Sequence, residues 1–480
     1  MDKCMEIRAF IEKCQKDWNV PGVAVAVIKD GEVCFSECTG YRDVENQMEL
    51  NADTIIPIAS STKTFTTTVL AALVDEGLLN WDTKIRDYIP EFALMDEYAS
   101  NHTTPRDLAC HRTGLPRHDL MMYKADLSLA ELIRRIRFLE PNMEFRSAMQ
   151  YQNQMFMTLG YLIEKITGKV WTEVVKEKIF IPLGMDRSNF TITDSLKDLN
   201  YCKGYIRDKD SVNELPLANC DSVGTAGAIN STLNDMIKYL KFHMNKGKVG
   251  DIQLISEKSL AEIHTPQVVV RDFTPWEFKE VDFFCYGLGW FLESYRGHRL
   301  AHHGGTITGF QNNLSFMPND GIGVLVFTNL NRNLTQEAIN YAVYDILLDM
   351  ERIDWNKRYL DELGKYLGTD DEQQRNTEEH KKKKKPMTCS LDEYEGTYED
   401  KGYGTLEIKI DGDELYAYYN TMVLPLVHRT ADVFSLQLPD FEFEVFARFH
   451  TDLNGAINAF EAGLDLKPDK GILFKKKLLV

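Results

Sequence analysis

Apolar residues near the N-terminus recur every three or four positions, which is the spacing of an amphipathic helix. An unbroken apolar run follows over residues 22–28 and fits a buried strand. Asp30-Gly31 is a strong hairpin signal before a further apolar stretch at residues 33–35. The start of the chain therefore predicts one helix and then an antiparallel pair of strands. The apolar positions of the helix are Ile7, Phe10, Ile11, Cys14 and Trp18.

Helical spacing returns three times in the middle of the chain. One predicted helix begins at Ser60, and a second covers about residues 154–167 and ends at Gly168. A third follows Thr232, which fits a capping box with Asp235. Strand patterns reappear from residue 286 to residue 328. Strands at both ends of a mainly helical region predict an α+β fold, in which helices flank an antiparallel sheet.

The pattern changes again beyond residue 368. Residues 369–390 carry an acidic block, five consecutive lysines and a proline, which indicates a solvated charged linker. Residues 391–480 contain short alternating strands separated by turns such as Asn454-Gly455, which favours a small antiparallel barrel or sandwich. The predicted organisation is one domain at residues 1–368, the linker, and a second domain at residues 391–480.

Composition and charge narrow the functional classes. The 480 residues are 44% hydrophobic and 27% charged, which is typical of a globular protein. A net charge of −18 disfavours nucleic acid as a partner, because phosphate binding requires a basic surface. The nine cysteines are odd in number and include no CxxC pair, which favours reduced thiols over disulfides or zinc. Without a signal-like or membrane-length apolar run, we expect a soluble cytoplasmic protein with no membrane partner, metal or cofactor.

The first candidate for chemistry is Ser60-Ser61-Thr62-Lys63, at the start of the first central helix. Residues three apart share a helix face, so Lys63 can lie beside the Ser60 hydroxyl and take its proton. The N-terminus of a helix also supplies N–H groups where an oxyanion would form. By itself the motif is better explained as a capping serine beside a solvated lysine.

Two further motifs supply groups that a serine nucleophile needs. Tyr151 and Asn153 precede the second helix, where a phenol can transfer protons and an amide can hold a lysine and a substrate carbonyl. In His303-Gly304-Gly305-Thr306, the glycines allow close backbone approach and the Thr306 N–H can face an oxyanion. Each motif is ambiguous alone. Tyr-x-Asn also occurs at residues 418–420, and the His-Gly-Gly-Thr motif also fits an ordinary glycine-rich hairpin.

Taken in this order, the three motifs resemble those of the serine β-lactamase and penicillin-binding-protein superfamily. The similarity is closer to its class C branch, with D-aminopeptidases and related esterases, and spans roughly residues 5–350. By this resemblance Ser60 is the nucleophile and Lys63 and Tyr151 are the general acid and base. It also implies an oxyanion hole formed by the N–H groups of Ser60 and Thr306. The implied substrate-binding residues are Asn153, His303 and Gly305.

One position departs from the superfamily pattern. Many β-lactamases have Lys-Thr-Gly where this chain has His303-Gly304-Gly305. A lysine is a fixed cation suited to a substrate carboxylate, whereas an unperturbed histidine is charged only below about pH 6.5. The difference disfavours strong β-lactamase or carboxypeptidase activity and favours the peptidases and esterases. If His303 faces the substrate, we expect it to gain charge there as the pH falls.

Residues and resemblance together predict a serine hydrolase that cleaves amide bonds of small peptides containing D-residues through an acyl-enzyme on Ser60. An esterase or weak β-lactamase is the alternative among enzymes, and a sensor or scaffold that acylates without turnover is the alternative outside them. Residues 391–480 resemble the lipocalin-like barrel of some related peptidases, which can self-compartmentalise. This second resemblance implies a β-barrel and a homo-oligomer. The expected partner is a small peptide or ester substrate.

Overall fold

Two β-structures organise the chain, a sheet flanked by helices and a closed barrel. They are described by a computed structural model for residues 2–209, 211–216, 219, 221–271, 278–365, 385–438, 443–465 and 470–477. Within these residues the sheet has nine antiparallel strands and the barrel has eight. The α+β fold with an additional antiparallel barrel is therefore confirmed.

The strands before the barrel include the nine of the main sheet and three short pairs. They are β1 (Gly22–Lys29), β2 (Glu32–Asp43), β3 (Met48–Glu49), β4 (Ile56–Pro57), β5 (Tyr205–Asp208), β6 (Ser211–Glu214), β7 (Asn230–Ser231), β8 (Lys248–Val249), β9 (Ile252–Gln253), β10 (Val268–Val269), β11 (Val281–Tyr286), β12 (Phe291–Tyr295), β13 (His298–Ile307), β14 (Phe310–Met317) and β15 (Ile322–Thr328).

The described helices all fall short of the length and apolarity needed to cross a membrane. They are α1 (Lys3–Trp18), α2 (Thr62–Asp75), α3 (Ile85–Tyr88), α4 (Glu97–His102), α5 (Pro105–Ala109), α6 (Leu129–Ile136), α7 (Asn153–Thr167), α8 (Trp171–Val175), α9 (Ile181–Leu183), α10 (Ile192–Ser195), α11 (Leu233–Met244), α12 (Glu257–Ile263), α13 (Thr335–Leu347), α14 (355–365) and α15 (Leu391–Tyr394).

The main sheet joins strands from distant parts of the chain. Its order is β10-β11-β12-β13-β14-β15-β1-β2-β3. Strand β1 pairs with β2 on one side and with β15 on the other, so that Val25 lies opposite both Glu37 and Val326. The sheet is thus assembled from an N-terminal hairpin and later strands, as the sequence pattern predicted.

The unbroken apolar run of β1 is explained by cover on both faces of the sheet. Val25 and its alternate neighbours pack in a core with α1 and α13. Ala26 and its alternate neighbours pack in a second core with α2 and α11. Successive side chains of a strand point to opposite faces, so a strand covered on both sides loses its polar positions.

Several local predictions can be compared with the observed helix ends. Helix α7 ends at Gly168, which adopts a left-handed conformation with φ of 70° as the C-cap. Thr232 caps α11 by accepting the N–H of Asp235 at 3.2 Å. The carboxylate of Asp235 instead accepts the N–H of Arg187 at 2.9 Å, so the reciprocal half of the predicted capping box is replaced by a tertiary contact.

The barrel follows as a ring of consecutive hairpins. Pairing of its first strand with its last closes the ring, for example between Tyr398 and Lys476. Alternate residues such as Leu406 and Ile408 are buried, and tyrosine and phenylalanine rings fill the interior. An eight-stranded barrel has about the width that side chains can fill. The strands are β16 (Gly396–Asp400), β17 (Gly404–Asp411), β18 (Glu414–Tyr419), β19 (Met422–Thr430), β20 (Val433–Leu438), β21 (Phe443–Thr451), β22 (Ile457–Ala462) and β23 (Ile472–Lys476).

The barrel contacts the region that precedes and includes α6. The hydroxyl of Tyr403 lies 2.8 Å from His118 Nδ1, and both side chains are buried. Asn420 Nδ2 donates to the backbone oxygen of Tyr123 at 2.9 Å. Apolar side chains of the barrel and of the helical part belong to one continuous cluster. Much of the predicted linker at 369–390 lies outside the described residues, so its boundaries stay a prediction.

The described cysteines all carry free thiols. Cys220 lies outside the described residues. The free thiols agree with the predicted reduced state, which stays a prediction.

Candidate active site

Ser60 sits in a tight 3₁₀ turn, Ala59–Ser61, that leads directly into α2. The preceding residue, Ala59, has a φ of 45°, which places a residue with a Cβ in the left-handed region. Such a conformation costs roughly 1–3 kcal/mol and persists only where surrounding contacts impose it. Ser60 itself is half-buried, so its hydroxyl is accessible from one side.

Lys63 lies one helical turn further on and is fully buried. Its Nζ is 3.2 Å from Ser60 Oγ, 2.7 Å from Asn153 Oδ1 and 2.8 Å from the backbone oxygen of Ala226. The last two atoms can only accept hydrogen bonds. A charged ammonium can also donate to Ser60 Oγ, and a neutral amine can accept the Ser60 proton in the same position. The geometry therefore serves both protonation states of a proton carrier.

Tyr151 is presented by a loop that runs beside residues 111–114. The N–H of Gln150 donates to the His111 oxygen at 2.8 Å, and the Tyr151 ring packs 4.5 Å from the His111 ring. Lys63 Nζ lies 4.8 Å from the centre of the Tyr151 ring. Burial raises the pKa of the Tyr151 phenol, and its hydrogen bond with Ser60 opposes that rise. The three expected groups of the proton chemistry thus lie together.

Asn153, the first residue of α7, links Lys63 to a carboxylate. Its Oδ1 accepts from Lys63, and its Nδ2 donates to Asp119 Oδ1 at 3.0 Å. The predicted contact with lysine is present. The predicted contact with a substrate carbonyl would have to use the remaining N–H of the amide, because Asp119 holds the other side.

Strand β13 passes against the turn that carries Ser60. A Cβ added to Gly305 would lie 2.0 Å from the backbone oxygen of Ile58, so only glycine fits there. Asn312 on β14 donates to that same oxygen at 3.1 Å, and the hydroxyl of Ser61 donates to Asn312 Oδ1 at 2.7 Å. The strand edge is thus fixed to the nucleophile turn. Thr306 follows with an exposed side chain, and its role as oxyanion donor stays a prediction.

The surroundings of His303 disfavour the charge that is expected if this residue faces the substrate, and its role in substrate binding stays a prediction. Only 1% of its surface is exposed, and its ring lies between the Tyr286 hydroxyl at 3.0 Å and the Gly304 oxygen at 2.7 Å. Burial, with a smaller contribution from nearby Lys63, lowers the pKa of His303 to about 3. The sequence motif is local, whereas the charge of an imidazole depends on the solvent access that tertiary packing leaves.

Three residues near the site were missed from the sequence. Ala226 binds Lys63 through a backbone atom, which no side-chain pattern reveals. Arg117 and Asp119 follow the Gly-Leu-Pro segment at 114–116, and their position next to a recognisable motif was the available signal. The ring of His111 packs beside that of Tyr151 and supports it.

Comparison with known families agrees with this arrangement. A profile described as "Beta-lactamase" matches residues 7–348, and the chain belongs to this family, whose members are typically serine hydrolases. A second profile, described as "Domain of unknown function (DUF3471)", matches residues 380–475. The likeness of residues 391–480 to a lipocalin stays a resemblance, while the barrel itself is observed.

Sequence relatives and solved structures are also similar to this chain, and the structures share its fold. "Unguisins hydrolase ungD'" of Aspergillus campestris is 29% identical over 84% of this chain and 77% of its own length. "Protein flp" of Staphylococcus aureus is 24% identical over 73% of this chain and 69% of its own. An octameric penicillin-binding protein homologue from Pyrococcus abyssi has a TM-score of 0.64 and 24% identity, covering 99% of this chain and 100% of that one. A class C β-lactamase from Rhodobacter sphaeroides has a TM-score of 0.56 and 19% identity, covering 72% and 98%.

Proposed function

We propose that this chain hydrolyses amide bonds of small peptides, in particular those with D-residues, through an acyl-enzyme on Ser60. The observation that carries the proposal is the buried Lys63 amine at 3.2 Å from the Ser60 hydroxyl, with the Tyr151 phenol beside both. Burying an amine costs free energy unless other groups compensate it. The position of Lys63 beside a hydroxyl therefore supports activation of a nucleophile rather than a sensor or scaffold.

In the proposed acylation, Ser60 Oγ attacks the substrate carbonyl carbon while its proton passes to the Lys63–Tyr151 pair. The carbonyl oxygen becomes negative in the tetrahedral intermediate, where the N–H groups of Ser60 and Thr306 are the proposed donors. Collapse breaks the bond to the leaving nitrogen, which takes a proton from the pair. Water then attacks the acyl-enzyme by the same route and releases the acid and the free serine.

The preference for peptides rests on the branch of the family and on position 303. The resemblance to D-aminopeptidases supports D-residue substrates, and the relative from Aspergillus campestris is named a hydrolase. The neutral, buried His303 gives the site no lysine-like cation at the Lys-Thr-Gly position, which supports weak action on β-lactams.

We also propose a cytoplasmic homo-oligomer. The octameric state named for the Pyrococcus abyssi homologue supports assembly, and the free thiols of the described cysteines support a reducing compartment. Light scattering of the full chain tests the assembly.

The proposal is tested with a substrate panel and a covalent label. We expect turnover of D-aminoacyl p-nitroanilides above L-aminoacyl p-nitroanilides, p-nitrophenyl esters and nitrocefin. A fluorophosphonate should label Ser60 in the wild type and in the control Ser211→Ala, an exposed serine whose hydroxyl donates to the Asp208 oxygen at 2.9 Å, but not in Ser60→Ala. Lys63→Ala and Tyr151→Phe should each lower kcat by about 10²-fold, the scale of a lost general acid or base.

Other outcomes separate the alternatives. Labelling that persists in Ser60→Ala would contradict the assignment of Ser60 as the nucleophile. Turnover of esters alone would indicate an esterase. A burst without steady-state turnover on the whole panel would indicate a sensor.

A further inference from the structure

Arg117 brings a permanent positive charge to the rim of the Ser60 site. Its guanidinium carbon lies 5.4 Å from the centre of the Tyr151 ring, while 49% of its side chain is exposed. A solvent-exposed arginine gains little free energy from packing on a neighbouring side chain unless further contacts hold it in place. Its placement over a buried phenol therefore requires a support.

That support comes from the adjoining loop and from the barrel. Asp119 Oδ2 accepts from Arg117 Nε at 2.8 Å, and Asp119 Oδ1 holds Asn153. His118, between the two, is buried against the Tyr403 hydroxyl of the barrel. The loop is thus fixed at three consecutive residues, and the guanidinium cannot swing away without breaking the pair with Asp119.

Titratable groups face Tyr151 from every element packed around it. Three of these groups are neutral near pH 7, because burial lowers the pKa of two histidines and raises that of a tyrosine. They are His111 before the 142–150 loop, Tyr286 on β11 and His303 on β13. The charged groups are Lys63 on α2 and the pair Arg117 and Asp119. Since Lys63 exchanges protons during the proposed reaction, Arg117 is the cation of constant charge in this set.

A constant charge matters because the phenol oxygen becomes negative during the proposed reaction. The oxygen is negative when Tyr151 is the member of the pair that takes the Ser60 proton, and again after it gives a proton to the leaving nitrogen and before Lys63 returns one. Burial opposes that charge, and the nearby Arg117 favours it by lowering the pKa of Tyr151. Position 303, where the family pattern has a lysine, holds a neutral imidazole and cannot contribute.

We propose that Arg117 is a positioning residue that supplies the fixed positive charge stabilising the Tyr151 oxygen as it becomes negative. It acts from the 117–119 loop, whereas position 303 holds a neutral imidazole. The inference rests on the proposed function, since it requires Tyr151 to transfer protons for Ser60. Asp119 attenuates the charge and at the same time holds it over the ring.

The test measures the rate of fluorophosphonate labelling of Ser60 in the full chain between pH 6 and pH 10. In Arg117→Gln we expect the midpoint of the rising limb to move up by about one pH unit, with labelling about tenfold slower below it. Arg117→Lys keeps the charge and should restore most of the wild-type profile. The matched control is Arg134→Gln on α6, which removes an arginine paired with Glu131 at 2.9 Å and 57% exposed. It should leave the profile unmoved.

Two results would overturn the role of Arg117. One is an unmoved midpoint in Arg117→Gln, and the other is an equal loss at every pH in both Arg117→Gln and Arg117→Lys, which indicates a structural contact. If Arg117→Gln does not fold, Arg117→Met serves in the same comparison. A wild type in which Ser60 takes no label would instead overturn the proposed function, so the two failures are distinguishable.

Discussion

Lys63 and His303 are buried to the same degree but are placed to behave differently. The hydrogen-bond partners of Lys63 include a hydroxyl that can exchange a proton. The two nitrogens of His303 meet a tyrosine hydroxyl and a backbone oxygen. Buried polar groups are tolerated when they are hydrogen-bonded, and the partner decides which protonation state is kept. Residue type alone therefore does not tell which of the two changes its charge.

We expect the selectivity for carboxylate over amide substrates to stay flat between pH 5.5 and pH 8. The pKa of His303 is lowered to about 3, so its charge does not change in this window. The measurement is the ratio of kcat/KM for a matched pair that differs only in that group, which cancels the titration of Lys63 and Tyr151. A ratio that rises as the pH falls and becomes flat in His303→Asn would contradict the buried, neutral state.

At the scale of elements, strand β13 determines the shape of the cleft. The strand approaches the Ser60 turn so closely that its backbone touches the Ile58 oxygen at Gly305. Hydrogen bonds of Ser61 to Asn312 and to the His303 oxygen hold the two elements in this register. A helix terminus and a strand edge fixed in this way keep their N–H groups in place before a substrate arrives, which is the condition for a preorganised oxyanion site.

Gly305→Ala should lower kcat/KM by about 10²-fold, because displacement of an active-site group by about 1 Å costs that much. The added Cβ would lie 2.0 Å from a backbone oxygen, so strand and turn must separate. Gly304→Ala is the matched control, since the nearest atom to its Cβ is 3.2 Å away and belongs to the next strand. The measurements are kcat/KM and the melting temperature of Gly305→Ala and Gly304→Ala. Equal effects of the two substitutions would show that the close approach is not what matters.

At the scale of the whole molecule, the barrel and the site are connected. A continuous path leads from Tyr403 through His118 and Asp119 to Asn153 and Lys63. Each side-chain contact on this path is 3.0 Å or shorter, and the covalent link between His118 and Asp119 completes it. The sequence predicted two separate folding units, and whether residues 1–368 fold alone stays a prediction. The shared apolar cluster argues that they would lose stability without the barrel.

Tyr403→Phe should lower kcat by roughly threefold or more, because the loop that holds Asn153 loses a buried hydrogen bond worth about 1 kcal/mol. The control is Tyr416→Phe, a barrel tyrosine whose hydroxyl donates only locally to Glu414 at 2.8 Å. Steady-state kinetics on the best substrate of the panel provide the readout. Indistinguishable kcat values for the two variants would mean that the barrel does not act on the site through this path.

The sequence by itself determined the features that depend on near neighbours. Apolar spacing and turn residues predicted α1, the β1–β2 hairpin, α7 and the short strands of the barrel, because helix and strand periods are local. The spacing of Ser60 and Lys63 placed both on one helical face for the same reason. The order of the three motifs was enough to indicate the family that the profile match shows.

Only the tertiary structure decided which groups are charged and what holds them. Ala226 is 163 residues from Lys63, and the barrel residue Tyr403 is 285 residues from His118, so no local pattern predicts either contact. The neutral state of His303 and the placement of Arg117 over Tyr151 follow from burial and from contacts between distant segments. Desolvation and charge–charge distances are properties of the packed molecule, and they decide the protonation chemistry that the motifs leave open.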